Sequence, residues 1–206
     1  MIRPRHLLAA ALALGLAACA SAPAHYYTLI APAQAQAGLL APIPTGAGTP
    51  ARFQFELLPV AIPAQVDQPQ LVLRQGGQGV ALLGGERWIA PLAEEVRGAL
   101  SADLALALHT QDASGLPNGG KPRLRIKVDV RRFDSVPGDY ALIDAAWSVR
   151  QLQGDATLAC TSQVREPVGP GYDALVEGHQ HALARLAGQI AQVAPALAAG
   201  QPATCP

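Results

Sequence analysis

Three groups of residues have types suited to catalysis or ligand binding: the His179 and His181 pair, Ser101 with Asp103, and the run Gly76-Gly77-Gln78-Gly79. A histidine pair suggests a metal, a serine beside a carboxylate suggests acyl transfer, and clustered glycines suggest a phosphate cradle. Each fails on spacing. Residues two apart on a helix point to nearly opposite sides, so His179 and His181 cannot close on one ion and are expected to be solvated. Ser101 and Asp103 lack a nucleophile elbow, and no G-x-S-x-G occurs anywhere in the chain. The glycine run lacks the Lys and Ser/Thr that follow in a P-loop and reads as a hairpin turn. Asp129, Asp134, Asp139 and Asp144 do not have the spacing of a calcium loop and read as solvated or turn residues. His109 ends a helical stretch, where a cation suits the dipole, and His25 lies near the amino terminus. The expectation is a protein that is not an enzyme, with no catalytic residue, cofactor or metal.

Cys19 has a different chemistry. Arg3 and Arg5 precede an uncharged apolar stretch from Leu7 to Ala18, and Leu16-Ala17-Ala18-Cys19 resembles a bacterial lipobox. A membrane-spanning helix needs about 20 apolar residues, which this stretch does not supply. Residues 1–18 therefore read as a lipoprotein signal peptide, with Cys19 acylated on its sulfur after export. Three acyl chains make a lasting tether, because each buried methylene contributes about 0.8 kcal/mol. Ala20 and Ser21 follow, with no acidic residue to hold the protein at the inner membrane, so the periplasmic face of the outer membrane is the expected location.

Removal of residues 1–18 from 206 leaves 188, the length of one domain with a substantial core. The removed stretch takes two arginines and no acid, leaving 13 of the 15 basic residues against 15 acidic ones. That near-neutral balance argues against nucleic acid as a partner. Two cysteines remain, Cys160 and Cys205, and an even pair in an oxidising compartment is expected to bridge, the alternative being two free thiols. Such a bridge would stabilise by about 4 kcal/mol in the chain-entropy model and pin the tail from Gln201 to Pro206.

The pattern also predicts the elements. Tyr26 to Leu29 reads as a short strand within a lipidated tether, residues 19–50, whose Ala31 to Pro50 part is an Ala/Pro/Gly-rich flexible loop. A single domain then spans residues 51–206. Phe53 to Leu57 alternates as a strand, and Gln70 to Arg74 forms a hairpin with Val80 to Leu83. Pro91 opens a helix carrying Leu92, Val96, Leu100 and Leu104 to Leu108. Leu124, Ile126, Val128 and Val130 alternate with Arg123, Arg125, Lys127 and Arg131 in the clearest strand of the chain. Its basic face, with Arg132, reads as solvent-exposed, lipid headgroups or an acidic partner being the alternative. Tyr140 to Leu152 and Thr157 to Val164 complete a meander, and a last helix runs from about Tyr172 to Leu197, weakened by Gly178, Gly188 and Pro195. Tyr26, Tyr27 and Trp88 read as core. The fold class is α/β (α+β): a mostly antiparallel sheet of about six strands with two main helices packed on it.

Taken in order, Cys19, Tyr26-Tyr27-Thr28-Leu29, Leu58 to Pro63, Val66 to Arg74 and Arg87-Trp88-Ile89-Ala90-Pro91-Leu92 give the chain its likeness to a family. It resembles the ABC-type transport auxiliary lipoproteins, the PqiC-like group. The resemblance implies a compact α/β domain and an outer-membrane lipoprotein. It also implies a periplasmic MCE-domain protein as partner, within a system that moves lipids between membranes, and leaves homo-oligomeric rings open. A docking subunit is the leading reading. A periplasmic carrier holding lipid in its own apolar pocket is the alternative, and a large cavity between sheet and helices would be its signature.

Overall fold

The computed structural model describes residues 23–31, 51–117 and 119–206. Cys19, the signal peptide at 1–18 and most of the expected loop at 31–50 lie outside these residues. Among the described residues there are seven strands and two helices. In chain order they are β1 (His25–Tyr27), β2 (Gln54–Leu57), β3 (Gln70–Arg74), β4 (Val80–Trp88) and α1 (Leu92–Leu108). Then follow β5 (Arg123–Val136), β6 (Tyr140–Gln151), β7 (Thr157–Pro167) and α2 (Tyr172–Ala198).

The class is α+β, but the strands form two sheets, of order β1-β4-β3 and β2-β5-β6-β7. Each sheet is mixed, because β1 runs parallel to β4 and β2 parallel to β5, while the remaining pairs are antiparallel. Alternation marks a strand without naming its neighbour, which is why a single antiparallel sheet was the expectation. Long connections carry β1 and β2 to their partners, and such connections permit parallel pairing.

Two strands run past their sequence-based ends. β4 continues through Gly84 and Gly85 to Trp88 because β1 pairs alongside it, with His25 opposite Glu86 and Tyr27 opposite Trp88. β5 continues to Val136 across a register shift between Val130 and Arg132. That shift exchanges the faces: Val128 and Val130 point inward before it, and Phe133 and Ser135 after it.

α1 begins after Pro91, whose carbonyl accepts from the Glu94 and Glu95 amides, and ends on His109 in the left-handed conformation at φ 50°. α2 packs on α1 and on β5, β6 and β7. Gly178 makes this approach feasible, since a Cβ there would collide with Val168 and meet Ala141 Cβ at 3.2 Å. Pro195 falls near the end of α2, where the helix closes within a few residues. Leu100, Leu104, Ile126, Val149, Leu183 and Ile190 fill the space between helices and sheet with no solvent exposure. No helix among the described residues is long and apolar enough to cross a membrane.

Candidate functional site

Residues 25–29 form a strap that three elements hold. From β4, Glu86 accepts a hydrogen bond from Tyr27 Oη at 2.7 Å and contacts His25 Nδ1 at 3.1 Å. From α1, the buried Glu95 carboxylate accepts from both Thr28 Oγ1 and the Leu29 amide at 2.8 Å. From α2, Gln180 Nε2 donates to the Thr28 carbonyl at 3.0 Å. Leu29 is driven into the core, 1% exposed, just after the polar stitches. Burial, then the bond to Glu86, pushes the Tyr27 phenol well above its ordinary range. The bonds from Tyr27 and His25 hold Glu86 below the usual carboxylate range. Charged hydrogen bonds of this kind are about twice as strong as neutral ones.

A second polar cluster ties the loop after α1 to the end of β2. Asp112 accepts from Ser101 Oγ at 2.8 Å, Arg97 Nη2 at 3.1 Å and the Ser114 amide at 2.9 Å, while Arg97 Nη2 also donates to the Leu57 carbonyl at 3.0 Å. Burial pushes the Asp112 carboxyl up, but the bonds from Ser114, Ser101 and the Leu57 amide outweigh it and leave the group lowered. Ser101 thus spends its hydroxyl on a structural carboxylate. Its expected neighbour Asp103 is buried apart from it, and burial raises its pKa to about 6.

Several residues expected in solvent are inside. His179 is 0% exposed: its ring stacks on Phe133 with centroids 3.9 Å apart, and Nε2 lies 2.8 Å from Ser135 Oγ. Burial lowers its pKa to about 3, so it is a neutral core ring. His181, on another side of α2, lies 3.9 Å from Glu177. Asp134 is also buried, held between Arg74 of β3 at 2.9 Å and Arg132. Arg123 is buried too and donates to the Leu116 and Pro117 carbonyls at 3.1 Å, whereas Arg125, Lys127, Arg131 and Arg132 are exposed. Tyr26 goes the other way: it is 58% exposed, while Trp88 is core. For His179 and Asp134 the signal that would have placed them is the face change in β5 together with Arg74 of the second sheet at its end, and neither is written in local alternation.

Cys160 and Cys205 are joined by a disulfide with Cα atoms 5.7 Å apart, which holds the tail against β7. Beside it, Lys127, Asp129, Arg131, Ser148, Thr161 and Cys205 line an open groove of about 500 Å³ on the sheet. A second depression, about 410 Å³, is formed by Pro69, Trp88, Ile89, Ala90 and Pro91 with Asp67 and Gln68. No group of three or more metal-ligating side chains occurs among the described residues.

The model of the ABC-type transport auxiliary lipoprotein component family matches residues 27–191. Among solved structures, the chain is similar to a crystal structure of an uncharacterised protein, with 17% identity and a TM-score of 0.63 over 83% of this chain and 98% of that one. It is also similar to a Xanthomonas campestris protein of family DUF330, with 13% identity and a TM-score of 0.58 over 75% of this chain and 91% of that one. At these identities the likeness is one of fold. A search of curated proteins finds no match.

Proposed function

Because the chain belongs to the ABC-type transport auxiliary lipoprotein family, we propose that it is an outer-membrane accessory subunit that docks a periplasmic MCE-protein conduit to that membrane. In this reading residues 1–18 are removed and Cys19 carries the acyl anchor.

The observation that supports docking most directly is the stitched strap. Glu86, Glu95 and Gln180 fasten residues 25–29 to a strand and both helices, so a pull on the amino terminus is delivered to the whole domain. A subunit that holds a conduit against a membrane needs that stiffness; a carrier that leaves the membrane with cargo does not. The packed interior also speaks against the carrier, since Leu100, Ile126, Leu183 and Ile190 occupy the space an acyl chain would need. The test is a direct binding assay between the purified domain, residues 19–206, and the periplasmic MCE-domain protein of the same envelope. Saturable binding is expected, and its absence would remove the docking reading.

A further inference from the structure

β1 and β4 are parallel neighbours, with Tyr26 opposite Arg87 and Tyr27 opposite Trp88. His25, Tyr27 and Glu86 share one face, where their side chains bond to one another. Tyr26, Arg87 and Ile89 share the other. On that face Tyr26 is 58% and Ile89 61% exposed, and Ile89 lines the depression shared with Pro69, Trp88 and Pro91. Further along the strap Ile30 is 47% exposed. The acid of this strand pair, Glu86, is turned away to the opposite face, while the cation Arg87 is turned toward this one; Asp67 lines the depression with Ile89, and Asp173 lines a separate depression with Tyr26. Ile30 lies against Gly98 of α1, so the face itself consists of Tyr26, Arg87 and Ile89, an aromatic, a cation and an aliphatic side chain of the kinds that favour a bilayer interface.

Chain length selects the occupant. Seven peptide steps separate Cys19 from Tyr26, which span at most roughly 25 Å when fully extended. A folded domain of this size is about 40 Å across. The leash is therefore shorter than the body it holds, so β1 cannot lie on the side of the domain away from the membrane. Resting on the reading that Cys19 is acylated, we propose that the Tyr26–Ile89 face of β1 and β4 seats in the headgroup region of the anchoring membrane. The lipid thereby fixes the orientation of the domain as well as its location.

The experiment uses the full mature, acylated chain in phosphatidylethanolamine–phosphatidylglycerol vesicles. A photo-crosslinking amino acid is placed singly at Tyr26, at Ile89, or at the exposed Thr161 on β7 as a distant reference. Vesicle flotation is scored first and lipid adducts by mass spectrometry second. Flotation with adducts at 26 and 89 roughly tenfold above those at 161 is expected for sites inside and outside the interface. Flotation with equal adducts at all three positions, or with adducts at 26 and 89 only to protein, overturns the proposal while leaving the anchor intact. Failure of the wild-type chain to float overturns the anchor and this orientation together. A Tyr26→Ser/Ile89→Ser double variant gives an independent reading. In the unacylated Cys19→Ala background it should bind the same vesicles about tenfold more weakly than its parent, as loss of two partly buried apolar side chains implies. Equal binding contradicts the proposal.

Discussion

Asp103 and His179 are both buried ionisable groups, and they push stability in opposite directions over the same pH range. Asp103 has a folded pKa raised by burial to about 6, so the folded state holds a proton that the unfolded chain releases near the ordinary carboxylate value. Its contribution is therefore present at low pH and is lost as pH rises toward 6. His179 has a folded pKa lowered to about 3, so the unfolded chain binds a proton that the folded state refuses. Its contribution is present above about 6.5 and is lost as pH falls. Chemical denaturation of two variants from pH 3.5 to 7.5 separates them. Asp103→Asn should gain stability relative to wild type with rising pH, by about 2–3 kcal/mol at pH 7, and gain little at pH 3.5. His179→Leu loses the contact with Ser135 at every pH, but its stability should fall less steeply than that of wild type between pH 6 and pH 4. Parallel curves for variant and wild type would contradict either assignment.

At the scale of elements, the strap is the feature with the clearest mechanical consequence. Glu95→Ala removes the acceptor of the Thr28 hydroxyl and the Leu29 amide, leaving a buried amide unpaired at a loss of about 1–3 kcal/mol. Hydrogen exchange should show β1 and residues 28–31 losing protection while β5, β6 and β7 keep theirs; uniform loss would mean that the strap is not a separate unit. Most elements were legible in the chain: β3, α1, the β5-β6-β7 meander and α2 follow from period and punctuation within a few residues. What escaped was pairing. Gly84 and Gly85 look like a break until β1 is laid beside them, and a bulge after Val130 exchanges the faces of β5 in a segment whose outer side meets Arg74 of β3. The burial of Asp134 and His179 follows from that bulge and from the contact with β3. For the site, the Tyr26 to Leu29 motif was visible, but its acidic clamps Glu86 and Glu95 sit some 60 positions away in the chain and carry no local signal.

For the whole molecule, the domain encloses a packed core, carries open grooves on its sheets, and has residues 25–29 bolted to β4, α1 and α2. These properties suit a subunit whose work is done at its surface. The disulfide between Cys160 and Cys205 keeps the tail on β7. At this scale the proposed docking makes Cys19 the residue that sets where the partner is held. Wild-type and Cys19→Ala chains would be expressed in cells containing the MCE-domain partner, and envelope membranes would be separated by density. The expected result is that wild type brings the partner with it into the outer-membrane fraction, whereas Cys19→Ala is absent from that fraction and, once purified, is folded and still binds the partner. An outer-membrane fraction that retains the Cys19→Ala chain, or a wild-type chain that reaches that fraction without the partner, would contradict it.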